Sequence, residues 1–319
     1  MTNRSVAGSL GQRTWAAAEG LRPGGGRPRR RWKVEDNTRI LPAWLSRIMV
    51  PVMALFVLVP VVYMLLLSVT PNSKVALGGV SLAEPDFGNY VAIWSVAPLL
   101  GGLVHTLIIA GAAAAISVAF GLLAAYPLTR MRFTGRRAFL YGLLGSQTVP
   151  GTTLVLPLFA TFSFIQTLFG ARVIGSYPPI IFTYMTFGLP LSTWLLVAYL
   201  RTIPRELEEA GLVDGCSRAK ALRRIVLPIA LPAVVVAFVF AFLIGWNDLL
   251  FASVFTNNST QTLAVVMQSF ANTQAGSGLP LYGDLMAAAV VSAVPVVVLY
   301  LVFQRYLVRG LSAGSMTGI

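Results

Sequence analysis

The sequence predicts an all-α, polytopic membrane protein. Three observations carry that prediction. Hydrophobic residues make up 56% of the 319 and charged residues only 11%, with a mean hydropathy of +0.75. Soluble domains run nearer ~45–50% apolar and ~25% charged, so lipid must serve as the solvent here. The apolar residues gather into six runs, each near or above the ~20 residues that cross a bilayer as a helix. The basic residues lie in blocks between those runs, the pattern that sets membrane orientation. A net charge of +13 distributed in this way points to a membrane and away from nucleic acid. The single cysteine, Cys216, excludes a disulfide framework and a multi-cysteine metal site.

Residues 1–43 stand apart. They contain Pro23, Gly24 to Gly26, Pro28 and the run Arg29-Arg30-Arg31-Trp32-Lys33, without apolar periodicity. This composition predicts a disordered, basic cytoplasmic tail, either simply solvated or drawn to anionic lipid at ~1 kcal/mol per basic residue. The apolar run that follows is longer than the ~7–15 residues of a signal-peptide core. Spans are predicted near 44–70, 103–129, 138–168, 177–200, 233–256 and 285–304. The third carries Pro150, Gly151 and Pro157, which predict a kink or a break. Backbone groups freed there must face protein or water. Gln147, Thr148, Pro150, Thr152 and Thr153 therefore read as a pathway segment or as a structural kink.

Orientation follows from Lys and Arg. The tail up to Arg47 holds ten of them; the 130–137 loop adds Arg130, Arg132, Arg136 and Arg137. The 201–232 loop adds Arg201, Arg205, Arg218, Lys220, Arg223 and Arg224, and the C-terminus adds Arg305 and Arg309. Only Lys74 and Arg172, of 24 in all, fall on the other side. Both termini and the 201–232 loop are therefore predicted to be cytoplasmic. The outer segments 71–102, 169–176 and 257–284 read as modest loops.

The 201–232 loop is the most informative stretch. Ten charged residues fall between Arg201 and Arg224 in a chain otherwise poor in charge. A bare connection between spans needs only a few turn residues, so a soluble partner is expected to dock there. Pro204 suits a first helical position. Glu206, Glu208 and Glu209 favour the positive end of a helix. Gly215, after Asp214, supplies a left-handed stop. Ser217 then caps a second helix carrying Lys220, Arg223 and Arg224 towards its end. Pro228 and Pro232 mark entry to the fifth span. The expected unit is helix, glycine turn, helix.

Glu209-Ala210-Gly211, then Asp214-Gly215, then Ile225, Leu227 and Pro228 fall at the spacing of the EAA loop. In that respect the chain resembles permease subunits of bacterial binding-protein-dependent ABC importers. Gly211 replaces the usual second alanine, and Cys216 stands where a small Ala is common. Trp246-Asn247-Asp248 and Phe303-Gln304-Arg305-Tyr306-Leu-Val-Arg309-Gly310-Leu311 resemble the carbohydrate-uptake branch, similar to its maltose permease of the G type. The resemblance covers about 44–319; the basic tail is atypical. It implies that the loop inserts a coupling helix into an ATPase cleft. It also implies a second ATPase contact by the C-terminal segment (Arg309, Gly310, Gly314), which composition alone reads equally as a disordered end. The implied partners are a second permease, an ATPase dimer and an extracytoplasmic substrate-binding protein, with membrane lipid around them. No G-x-x-x-x-G-K-[ST] run occurs, so no cofactor is expected on this chain, and ATP and Mg belong to the partner ATPase.

Asp248 is the one carboxylate well inside a predicted span, where charge is costly and marks function. Trp246, Asn247 and Asp248 read as substrate-pathway residues; the other reading pairs Asp248 with a neighbouring subunit or sets it near the outer interface. His105 reads as interfacial and Cys216 as a small packing residue. No catalytic or metal-ligating cluster is expected. An ion-coupled secondary transporter is the main rival, but that class carries several intramembrane ionisable groups and paired broken helices. A permease of the same architecture for glycerol-phosphate-type or other small solutes stays open. A membrane-embedded enzyme lacks the convergent groups it needs.

Overall fold

A computed structural model describes residues 43–80, 84–275 and 281–315. The predicted tail lies almost wholly outside them, as does the C-terminal tip beyond Ser315. Among the described residues all regular structure is helical, and six helices are long and apolar enough to cross a membrane. The chain divides into two compact units, residues 1–58 and 59–319. The described part of the first is helix, belonging to α1 (Ala43–Ser68).

In the second unit, α1 ends at Ser68 and two short helices follow, α2 (Asn72–Val75) and α3 (Asn89–Val96). Then come α4 (Leu99–Arg130), α5 (Arg136–Ser146), α6 (Gly151–Phe169) and α7 (Tyr177–Leu200). The polar loop supplies α8 (Glu206–Val213) and α9 (Arg218–Ala221). One π turn, Leu222–Val226, joins α9 to α10 (Leu227–Asn247). Next are α11 (Leu250–Phe255), α12 (Leu263–Ala275) and α13 (Tyr282–Ser315).

The core is a three-helix packing of α4, α7 and α10, in which small residues let backbones approach. Ala110, Ala113, Ala114 and Ser117 on α4 are all buried, as are Ala237 and Ala241 on α10. At Gly245 a Cβ would lie 2.8 Å from Tyr184 Cδ2 and 3.1 Å from Ala110 Cα, so only hydrogen fits that crossing. Close approach of this kind replaces the hydrophobic drive that lipid cannot supply. Around it, Phe162, Tyr184, Phe251 and Phe255 cluster on one flank, and Tyr126, Leu196, Leu200, Val226 and Ala230 on another.

The break expected at Pro150 in the third span is present: α5 stops at Ser146, and α6 begins at Gly151, with Pro150 as its N-cap, after a short turn in which Gln147 Nε2 donates to Phe187 O at 2.8 Å. Three differences from the sequence reading have physical causes. The fifth predicted span, 233–256, is also two helices. Asp248 turns the backbone extended and its carboxylate accepts the Ala252 N–H at 3.0 Å, starting α11; a short acidic side chain competes with the helix for backbone donors in this way. The outer segments are not plain loops. Leu263, Val266 and Phe270, spaced i, i+3, i+7, give α12 an apolar face that packs with Ile93 of α3 and with Leu99 and Ala287. Thr106 on α4 anchors its start, the hydroxyl accepting from Leu263 N at 2.7 Å. Finally, α13 continues helically to Ser315, so the backbone at Arg309, Gly310 and Gly314 is helix.

Candidate coupling site

The loop between α7 and α10 folds as a hairpin. Glu206, Glu208 and Glu209 occupy the first turn of α8. That helix begins after Arg205, so Pro204 precedes it and does not occupy its first position. Asp214 closes α8, and Gly215 follows at φ +84°, the left-handed region that favours glycine. The N–H of Gly215 donates to Leu212 O at 3.1 Å and that of Cys216 to Gly211 O at 3.0 Å. This pair of bonds is the Schellman closure that satisfies a helix's last carbonyls. Ser217 Oγ then accepts from Lys220 N, capping α9.

From Arg218 onward the chain stays helical to Asn247, where sequence reading placed a loop up to 232. Pro228 explains the π turn before it. A proline has no N–H and its ring crowds the carbonyl four residues earlier, and widening the preceding turn relieves that crowding. The second arm of the hairpin is therefore one rod with the span above it.

The first arm is fixed differently, by residues that sequence reading missed. Glu208 is only 7% exposed. One of its carboxylate oxygens accepts from Tyr126 OH, and the other lies 3.0 Å from Arg130 Nε. Arg130 Nη2 donates to Ile203 O at 3.1 Å, and Arg205 Nη2 reaches back to Thr129 O at 2.9 Å. Two arginines thus cross in opposite directions between the last turn of α4 and the start of α8. The Arg130–Glu208 contact is an ion pair whose angle lies off the N–H axis. The signal available in the sequence was spacing alone. Glu208 and Gly211, three apart, share the inner face of α8, and both are buried.

The outer face carries Leu207, Ala210, Val213 and Asp214, all exposed, with Glu206 and Glu209 beside them. Val213 is 87% exposed and Leu207 46%. These apolar side chains are turned outward on a charged hairpin and pack against nothing among the described residues. Gly211 and Ala221 are buried against the hairpin's inner side, Ile225 and Leu227 are partly buried, and Pro228 is exposed.

The second candidate group lies far along α10. Trp246 stacks on Phe242, with ring centroids 5.5 Å apart. Asn247 is exposed, and its Nδ2 donates to Leu243 O at 2.9 Å. Tyr184 OH donates to Asp248 Oδ2 at 3.0 Å, the same oxygen that accepts from Ala252 N. Asp248 therefore holds the break between α10 and α11 from within. A second buried carboxylate, Asp284, 3% exposed at the start of α13, accepts from Asn72 Nδ2 at 3.0 Å. His105 Nδ1 lies 3.1 Å from Gln261 O, an inter-segment contact. Among the described residues no cluster of His, Cys, Asp or Glu fits a metal ion.

This architecture, a multi-span helical bundle with a braced hairpin at one end, is that of a transport subunit. Residues 117–313 match the family described as binding-protein-dependent transport system inner membrane component. The chain is 32% identical over 268 residues to the trehalose transport system permease protein SugB of Mycobacterium tuberculosis, covering 82% of this chain and 93% of that one. It is 33% identical over 269 residues to the trehalose/maltose transport system permease protein MalG of Thermococcus litoralis, covering 83% and 94%. Its fold matches a chain of a bacterial ABC transporter involved in import of the acidic polysaccharide alginate, with TM-score 0.68 and 19% identity over 82% of this chain and 95% of that chain. The chain belongs to the binding-protein-dependent transport system inner membrane component family. It is a multi-pass membrane permease subunit.

Proposed function

We propose that this permease forms one half of the translocation pathway for a sugar, a mono- or oligosaccharide or polyol, in an ATP-driven importer. Relatives named for trehalose, maltose, sulfoquinovosyl glycerol and diacetylchitobiose uptake support the sugar class. A second permease completes the pathway, an extracytoplasmic binding protein delivers the cargo, and an ATPase dimer carrying ATP and Mg drives the cycle. Both termini and the hairpin face the cytoplasm.

The observation that carries the coupling role is the two-sided α8. Its inner face is locked to α4 by Glu208, while its outer face presents Leu207, Ala210 and Val213 to a partner. Glu209, Ala210, Gly211, Asp214, Gly215, Ile225, Leu227 and Pro228 make up this coupling unit. When the ATPases close, force on the outer stripe passes through α8 into α4 and through the α9–α10 rod into the bundle. A packed bundle answers such a push by switching between discrete arrangements. The pathway is proposed to pass the break at Trp246, Asn247 and Asp248, with Asp248 holding the break in place. The C-terminal Arg309, Gly310 and Gly314 are proposed to touch the ATPase.

Val213→Asp tests the docking face, because it alters only an exposed side chain. Recovery of the ATPase with the chain in mild detergent is expected to fall at least about tenfold, the loss expected when an interface anchor is removed. Full ATPase recovery and full uptake in that variant would falsify the docking role.

A further inference from the structure

A cavity of about 530 Å³ opens between the start of α5 and the end of α7. Its basic lining is Arg136 and Arg137 from α5 and Arg201 just past α7; no carboxylate contributes to it. None of these three guanidinium groups meets an acceptor or an acid among the described residues, whereas on the same end Arg130 donates to Ile203 O and pairs with Glu208, and Arg205 donates to Thr129 O. Burial, and then the neighbouring Arg201, Arg205 and Arg137, push Arg136 below the usual arginine range. Like charges gathered without counter-ions are unfavourable by themselves and become favourable around an anion. Beside them stand Tyr141, 70% exposed, and Trp194, 46% exposed, with Leu144 next along α5. Amphipathic aromatics of this kind sit at the headgroup level of a bilayer.

We propose that this cavity holds the phosphodiester headgroup of an anionic phospholipid from the inner leaflet, with Arg136, Arg137 and Arg201 on the phosphate and Leu144 and Trp194 against the acyl region. A graded site, basic at one end and apolar at the other, fits a lipid better than a soluble anion, which has no use for the apolar end. Basic cavities between spans on the cytoplasmic side take such headgroups. Arginine suits the role because its planar fork bonds two phosphate oxygens at once. The site lies between α5 and the end of α7, where the chain leaves the span at Arg201 for the hairpin, so an occupied cavity would stiffen the frame that receives the push. The leaflet assigned here rests on the cytoplasmic placement of the hairpin, but binding in detergent does not.

The experiment uses the full-length chain with whatever subunits it retains in mild detergent, followed by native mass spectrometry. Phosphatidylglycerol, phosphatidylcholine and inorganic phosphate are titrated separately. Retention of phosphatidylglycerol over phosphatidylcholine is expected, weakened about five-fold by R136Q or by R201Q, the equivalent of ~1 kcal/mol per charge. R172Q, away from the cavity, should leave retention unchanged, and R136K should retain most of it, showing that charge and not misfolding is read. Equal retention of the two lipids, or undiminished retention in R136Q and R201Q, overturns the site. Competition by millimolar inorganic phosphate would reassign it to a soluble anion. Loss of a protein subunit from R201Q without loss of lipid would reassign it to docking.

Discussion

Glu208 is the residue on which the coupling hairpin turns. Its carboxylate is buried between a phenol and a guanidinium, so removing its charge strands Arg130 in a poorly solvated place. Breaking a buried pair from one side costs about 3–5 kcal/mol, whereas replacing both partners with apolar residues is often near neutral. Glu208→Gln should therefore lower the thermal unfolding midpoint of the purified chain and abolish coupled uptake. The double variant Arg130→Met with Glu208→Leu should recover the midpoint but not the uptake. The glycines of the loop divide similarly. At Gly215 the backbone sits at φ +84° with open space around it, so a side chain meets strain and no clash. Gly215→Val is expected to lose about 1–2 kcal/mol and most of the coupling, seen as ATP hydrolysis without uptake. At Gly211 an added Cβ meets only the Cδ1 tip of Ile225, which rotates away. Gly211→Ala should transport within about twofold of the parent, as a substitution without a named mechanism of damage does.

At the scale of elements, the two breaks show what a carboxylate and a proline do to an apolar run. Asp248 bonds Ala252 N and accepts from Tyr184, so its first task is to end α10 and begin α11. Asparagine caps a helix about as well as aspartate, and alanine costs about 1 kcal/mol. Asp248→Asn should therefore assemble with an unchanged unfolding midpoint, and Asp248→Ala with a lowered one. Uptake by the Asn variant then reads the pathway role of the charge on its own: a loss assigns the charge to the pathway, and normal uptake removes it. Most elements were legible from composition. Length and apolarity marked the spans, Pro150 marked the break before α6, and Glu206 to Ser217 marked the hairpin through capping chemistry. The missed features share a cause, since each depends on contact between residues far apart in the chain. Nothing local to Glu208 says that Tyr126 and Arg130 wait for it, 82 and 78 positions earlier. Asp284 falls at the end of the predicted 257–284 loop, and nothing marks it until Asn72 is found beside it. The apolar face of α12 is written locally in the 263, 266, 270 spacing, on a segment too short to span.

At the largest scale, the second unit is a helical bundle whose two ends differ. At one, Ser68, Thr70, Asn72, Asn89 and Asp284 tie the end of α1 to the start of α13 through hydrogen bonds near 3 Å. At the other, Arg130, Arg205 and Glu208 brace the hairpin. Its polarity has a direct check, because Cys216 is the sole cysteine and sits on the hairpin, partly exposed. A membrane-impermeant maleimide should leave Cys216 unlabelled in intact cells and label it in inverted vesicles. Labelling in intact cells would reverse the assignment of both termini.

The π turn at Leu222–Val226 gives the α9–α10 rod one residue more than an α-helix of the same path requires. Each helical residue advances about 100° around the axis. Removing a single residue from the regular turns of the rod, with the π turn kept, would turn the hairpin by about that angle against the span, carrying the Leu207 and Val213 stripe away from whatever it faces. The length of chain from Ser217 to Pro228 is therefore a phase setting, and selection should tolerate exchanges of residue along it far more readily than insertions or deletions.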